Sequence, residues 1–500
     1  MTGASPPGDG DVANRLSRLP PEKRALLERA LLARREVNPD DLSIPRRPPD
    51  EPAPLSFPQQ RLWFLDKMAP GDPTYNAVVG MRLRGPVDVD RLRSAFEAVV
   101  LRHEAIRTVL PDADGRPYQQ VLADWQLPLP VVDLRGMAAD ERAAALMRLM
   151  REEPRRSYDL QRDLMMRLLF VQLADDDAVL LLMEHHIAFD GWSDEILCAE
   201  VSEVYAALGA GRPPALKELP IQYGDFAAWQ RKRLDGEKLE QHQAFWRDYL
   251  AGAPALLPLP TDLPRPAVLT HDGARVGVAI GADVLQPLGA LCKAESATPY
   301  MVLISMFGLL LHRWAGVSDI CVGTPIANRS RIELERLIGF FSNTIAIRIR
   351  PQSTMTMREF VRSSRDSALA AYAHQDLPFD RIVEAVAPPR DLSHNPLFCV
   401  NFRVTDGAPA LLALPDVECS PVAPDIGFAR FDLALELQVG ADGIGGYLEY
   451  NLALFKERTA RALVDALGSL LEDALRRPDV ALATLAMSRP NEGPRIRRRA

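Results

Sequence analysis

The chain has 500 residues, a formal net charge of −8, 47% hydrophobic and 25% charged residues, an ordinary globular composition with material for two or three domains. The acidic balance argues against nucleic acid as the main partner, and no apolar run is long enough to span a bilayer. Five scattered cysteines (Cys198, Cys292, Cys321, Cys399, Cys419) lack disulfide or metal-ligand spacing and suit reduced thiols in a cytoplasm.

Residues 1–12 are rich in Gly, Pro and Ser and are expected to be disordered. Pro21 to Arg34 reads as a helix with Pro21 early and leucines 26, 27, 31 and 32 on one stripe, either packed on the body or serving as a linker or docking helix. The proline-rich stretch 44–54 reads as a semi-extended connector. Residues 1–50 thus form a disordered N-terminus plus a linker or docking helix. Two mixed halves follow, 51–252 and 253–488, joined through the proline-studded stretch 254–266. In the first, Ala178 to Met183 reads as a buried strand. Ser193 is expected to cap a helix with acidic residues in its first turn, and Leu197, Val201, Val204 and Ala207 give that helix one buried face. In the second, Tyr300 to Leu311 reads as a buried helix and Ala460 to Ala474 as a terminal one; residues 489–500 are a basic tail. The first thirty residues contain no apolar segment of the kind a secretory signal needs.

Between the strand and helix of the first half lies His185-His-Ile-Ala-Phe-Asp-Gly191. Titratable groups at such a junction are expensive to bury unless they do something. A lone His pair is common, and successive strand residues point to opposite faces, so the two histidines should not share a task. That geometry also disfavours a metal site built from both. With no His-Glu-x-x-His and no Cys-x-x-Cys, metal binding is not expected.

The heptapeptide resembles the His-His-x-x-x-Asp-Gly signature of the condensation domains of nonribosomal peptide synthetases, a version of which chloramphenicol acetyltransferase and related acyltransferases share. Further blocks resemble the same family in its order. They are Ser56-Phe-Pro-Gln-Gln-Arg-Leu-Trp63, Arg102-His-Glu-Ala-Ile-Arg-Thr108, Tyr223-Gly-Asp-Phe-Ala-Ala-Trp229 and Leu259-Pro-Thr-Asp-Leu-Pro264. Gly323-Thr-Pro-Ile-Ala-Asn-Arg329, Ile338-Gly-Phe-Phe-Ser-Asn-Thr344, His374-Gln-Asp-Leu-Pro-Phe379 and Arg390-Asp-Leu-Ser-His-Asn-Pro-Leu397 complete the set. The resemblance covers roughly residues 50 to 488.

The resemblance implies an α+β fold of two chloramphenicol acetyltransferase-like subdomains in a V-shaped pseudo-dimer, with the active site at their interface. It implies transfer of a carrier-bound acyl, aminoacyl or peptidyl thioester onto the amine of a carrier-bound acceptor, forming an amide without an acyl-enzyme. No Gly-x-Ser-x-Gly elbow contradicts this. The chain would bind no cofactor itself. Its partners would be donor and acceptor peptidyl carrier proteins bearing phosphopantetheine, in trans or in a megasynthase, with adenylation enzymes involved indirectly. Lacking an adenylation-type loop and a Gly-Gly-x-Ser attachment site, it would depend on those partners; its initiating Met1 and basic end favour a free-standing enzyme. An ester-forming enzyme with an alcohol acceptor, and a non-catalytic carrier-binding recruitment module, are the alternatives.

By carry-over, His186 is the active histidine, accepting the proton of the attacking amine or orienting it. His185 turns away into the fold. Asp190 pairs with a distant arginine, for which Arg329 is the candidate, and shapes the loop. Gly191 permits a sharp turn or offers its amide to an oxyanion. Asn395 is a channel candidate. Arg61, Trp63, His103, Arg107, Tyr223, Trp229, Pro378 and Phe379 read as framework. Gly191 followed by Trp192-Ser193 resembles amide-forming rather than epimerising members, and the histidines exclude heterocyclising ones. The first two blocks look closest to members taking an L-configured donor, while Phe189 departs from the small polar residue many of those carry.

Overall fold

The strand that feeds the His loop is apolar without alternation because both of its faces are covered. The computed structural model describes residues 43–48, 51–254, 256–389, 391–406, 410–422 and 427–487; the helix expected at 21–34 and the basic tail lie outside them. The described residues from Arg47 onward fall into one compact unit.

In the first half, helices α1 (Phe57–Met68), α2 (Val89–Arg102), α3 (Ala139–Glu152), α4 (Gly191–Gly209) and α5 (Tyr223–Arg233) accompany strands β1 (Asn76–Arg84), β2 (Val131–Asp133), β3 (Met166–Ala174) and β4 (Asp177–His185). β4 pairs antiparallel with β1 and β3, and β2 adds parallel to β3. Leu180 and Leu182 of β4 pack with Phe96 and Val99 of α2 and with Leu197, Val201 and Val204 of α4. Val179, Leu181 and Met183 point the other way, onto Ala145 and Met150 of α3. Each such side chain contributes roughly 1.5–3 kcal/mol on burial, so a central strand sealed on both sides holds the loop after it rigidly.

The second half supplies β5 (Gly273–Gly281), β6 (Ile320–Ile326), β7 (Asn343–Ile349), β8 (Val400–Asp406), β9 (Glu418–Val422), β10 (Leu433–Gly440) and β11 (Gly443–Asn451). Six of these form one sheet in the order β7-β6-β8-β10-β11-β5. One face of it (Phe402, Leu435, Leu448, Val276) packs into a core with α6 (Pro299–Ala315), α7 (Met357–Ala373) and α8 (Glu457–Arg476). α6 is buried continuously from Met301 to Leu311, with Thr298 at its N-cap and Gly316 closing it at φ 70°. No single helix among the described residues is long and apolar enough to cross a membrane; one bent pair passes on length and composition, and α6, its second member, is core.

β9 leaves that sheet and pairs antiparallel with β1, completing the five-stranded sheet of the first half. Its proline, Pro421, is tolerated because the strand lies at an edge. The preceding segment brings Leu412 and Leu414 into the first half's core, and Ala413 N–H donates to Ser202 Oγ at 2.9 Å. Residues 51–252 therefore do not complete their own sheet.

Candidate active site

β4 ends at His185 and α4 begins at Gly191, so the heptapeptide is the tight connection between them. The N-cap of α4 is Asp190, not Ser193: the Asp190 carboxylate accepts from Ser193 N–H at 3.0 Å. The expectation for Ser193 is corrected because the chain turns into the helix three residues earlier. Buried at N3, Ser193 Oγ instead donates to Asp190 Oδ1 (2.8 Å) and accepts from Gly339 N–H (3.1 Å).

Asp190 is the most heavily bonded side chain of the loop. Its Oδ1 also accepts from Arg329 Nη2 at 2.9 Å, and its Oδ2 accepts from Phe341 N–H (3.0 Å), Ser342 N–H (3.2 Å) and Ser342 Oγ (3.3 Å). The two side chains of this ion pair are 2% and 1% exposed. Arg329 Nη1 donates to the carbonyls of Leu334 and Leu337, and its guanidinium lies 4.2 Å from the Phe341 ring centroid. The loop between β6 and β7 is thereby clamped onto the N-terminus of α4.

The two histidines part company. The buried His185 Nδ1 accepts from Ile187 N–H at 3.2 Å, which fixes its proton on Nε2, and its ring meets Tyr158 edge-on at 5.6 Å. Among residues 184–190 His186 alone is half-buried, the others being buried. Its amide donates to Tyr75 O at 3.0 Å, and its Nδ1 lies 3.3 Å from Phe189 O. With Nδ1 donating to that carbonyl, Nε2 is left as a basic lone pair. Burial, then the nearby Arg430, push the His186 pKa down to about 3; the same two causes act on His185, also to about 3. Both rings are neutral at physiological pH.

Gly191 departs from the turn expected of it. It is exposed, it lies outside the left-handed region, and it opens α4 as an ordinary helical residue. What constrains it is Arg403, whose Nη2 would lie 3.2 Å from a Cβ at this position. Arg403 belongs to the polar face of the six-stranded sheet. Across that face, Arg403 is in register with Glu436, Glu436 with Tyr447, and Glu449 with Arg275. Tyr447 Oη donates to Glu436 (2.9 Å) and Arg275 Nη2 to Glu449 (2.9 Å), pairs of the kind that stabilise neighbouring strands. Asn395 Nδ2 donates to Arg430 O at 2.7 Å, and Arg430 Nε to Thr74 O at 3.0 Å.

Side chains from the other sequence blocks hold the His loop and the 338–340 segment that packs on it. Gln59 Nε2 donates to Ile187 O (3.2 Å), His103 Nδ1 accepts from Ile338 N–H (3.3 Å), and Tyr223 Oη donates to Phe340 O (2.7 Å). A Cβ on Gly339 would come within 2.1 Å of the Tyr223 ring, so that block needs glycine there. Sequence reasoning missed Arg403, Arg430 and the buried acids Glu184 and Asp194. The two carboxyls act on each other electrostatically, and burial raises both pKa values. Glu184, an acid ending an apolar strand, was a visible signal; nothing local marks Arg430. Among the described residues no group of three His, Cys, Asp or Glu side chains lies close enough to hold a metal ion.

The Condensation domain family matches residues 50–496. Phosphinothricin tripeptide synthetase PhsC of Streptomyces viridochromogenes is 42% identical over 479 residues, 95% of this chain and 44% of that protein, so the chain spans less than half of this relative. The teicoplanin X-domain, solved in complex with OxyB, superposes with a TM-score of 0.79 at 28% identity, covering 90% of this chain and 98% of that one. The first condensation domain of the calcium-dependent antibiotic synthetase shares the fold at a TM-score of 0.74 and 19% identity, over 88% of this chain and all of that one.

Proposed function

The chain belongs to the condensation-domain family of nonribosomal peptide synthetases, and we propose that it joins a carrier-bound acyl, aminoacyl or peptidyl thioester to the amine of a carrier-bound acceptor. The observation that carries this reading is a neutral histidine that stays only half-buried while the rest of its loop, up to Asp190, is buried. The acceptor's amine attacks the thioester carbonyl and a C–N bond forms. The amine proton passes to His186 Nε2, the tetrahedral adduct expels the pantetheine thiolate, and the thiolate takes up that proton. The exposed amide of Gly191, at the head of α4, is the donor we assign to the developing oxyanion.

A free α-amine titrates near 8, so it is already partly deprotonated and full proton abstraction before attack is not needed. General base catalysis is worth about 10²–10⁴-fold, whereas holding two tethered substrates together supplies about 7–11 kcal/mol. Positioning is the larger effect. A covalent acyl-enzyme on cysteine is disfavoured, because burial raises the pKa of all five thiols, Cys292 to about 11 and Cys321 to about 12.

In this reading the donor and acceptor are presented on phosphopantetheine by carrier proteins loaded by adenylation enzymes, within or outside a megasynthase. Residues 51–252 and 253–488 are the two lobes, β9 being lent by the second to the first, and the unpaired cysteines suit a cytoplasmic setting. The teicoplanin X-domain's complex with OxyB keeps a second reading open, a module that recruits another protein.

The test mixes the protein with a donor-loaded carrier and a panel of amines, alcohols and aminoacyl-loaded carriers, and follows the pantetheine arm by mass spectrometry. Transfer to amine that drops in His186→Ala is the expected result. Transfer to alcohol alone makes it an ester-forming enzyme, and carrier binding without transfer to any acceptor favours the recruitment module.

A further inference from the structure

Arg430 precedes β10, yet its side chain reaches the other half of the molecule. Its Nε donates to Thr74 O at 3.0 Å, and its guanidinium lies 5.3 Å from the ring centroid of Tyr75. The next carbonyl, Tyr75 O, receives the amide of His186 at 3.0 Å. On the opposite side, the Arg430 carbonyl is held by Asn395 Nδ2 at 2.7 Å. A chain of hydrogen bonds thus runs from the Asn395 loop through Arg430 and the 73–75 turn to the backbone of His186. Among the described residues Arg430 forms no ion pair, and burial depresses its own pKa. A half-buried cation without a carboxylate partner is costly unless it has a task.

We propose that Arg430 is a positioning residue for His186, tying the Asn395 loop to the turn that seats the His186 amide, with a guanidinium that has no ion-pair partner among the described residues. The charge adds to burial in disfavouring imidazolium, while the strut fixes where that base stands. Other groups face the ring too: His185 and the Phe189 carbonyl from its own segment, and Arg403 from β8. The carboxyls near the loop are engaged elsewhere, Asp190 with Arg329 and Glu184 with Asp194. Arg403 is itself paired with Glu436 at 3.7 Å, whereas Arg430 has no ion pair among the described residues. The proposal rests on the reading of His186 as the group that meets the amine, and it names a residue on which that role depends.

The test is ¹⁵N-histidine NMR of the free protein against pH, with the His186 signal identified by its loss in His186→Ala. It needs no turnover, so it stands or falls apart from the substrate reading. Arg430→Gln is expected to raise the His186 protonation midpoint by about one unit, as for removal of a nearby like charge. Arg430→Lys is expected to leave the midpoint in place, yet to lower kcat in the transfer assay with little change in carrier KM, because it keeps the charge and loses the Nε strut. If Arg430→Gln does not fold, Arg430→Met gives the same readout. A midpoint unchanged in Arg430→Gln or Arg430→Met, or moved equally by the lysine variant, overturns the proposal.

Discussion

Replacing Asp190 with alanine tests whether this carboxylate is a strut or a reactant. The substitution strips the acceptor from six hydrogen bonds, three of them backbone N–H groups of Ser193, Phe341 and Ser342. It also leaves Arg329, 1% exposed, without its countercharge. Breaking a buried pair by removing one partner costs about 3–5 kcal/mol, and loss of the α4 cap costs about 1 kcal/mol more. These contributions share atoms and do not simply add, so a loss of about 4 kcal/mol is expected. Against a typical stability of about 5–15 kcal/mol, that produces protein that is poorly soluble or melts early. Asp190→Asn fares little better, because its Nδ2 would face the Phe341 and Ser342 amides, donor against donor. Urea unfolding of wild type, Asp190→Ala, Arg329→Met and the double variant measures the coupling directly. In the double variant the orphaned charge is gone, so it is expected to be more stable than Asp190→Ala alone. An Asp190→Ala protein with wild-type unfolding and no transfer activity would refute this reasoning and make the carboxylate a participant in the chemistry.

Two further predictions concern the neighbours of the loop. Gly191→Ala relieves the helix of glycine's cost of roughly 0.5–1 kcal/mol but pushes Arg403 Nη2 from a 3.2 Å approach; a thermal melt unchanged or slightly higher with slower transfer is expected, and transfer at the wild-type rate would remove the reason for glycine. Burial raises the pKa values of Glu184 and Asp194, Asp194 to about 6, so their contribution to stability is full below the unfolded carboxylate values and is lost as pH rises through the raised folded values. Melting temperature is accordingly expected to fall with rising pH above about 4.5, and Glu184→Gln, which cannot ionise, is expected to flatten that slope; equal slopes would mean the pair does not share a proton.

Local order was legible in the chain. The apolar run from Ala178 to Met183, the polar heptapeptide and the periodic leucines and valines after it specify strand, loop and helix, because each is set by neighbours two to four residues away. The buried run from Tyr300 to Leu311 marked α6 for the same reason, and the Ala460–Ala474 pattern marked the middle of α8. Periodicity also put His185 and His186 on opposite faces. It did not choose between Ser193 and Asp190 as N-cap, since both are good capping residues and the tight entry of the chain decided.

What the tertiary structure alone decided are contacts between residues far apart in sequence. Arg329 lies 139 positions from Asp190, and only the family resemblance pointed to it beforehand. Arg430 meets Thr74 across 356 positions, and no local pattern distinguishes it from the other arginines. β9, with an exposed, proline-containing sequence, carries almost no strand signal and exists because β1 offers it an unpaired edge. Side-chain periodicity records which face of an element is buried, while hydrogen-bond partners and the charges around an imidazole depend on which elements the fold brings together.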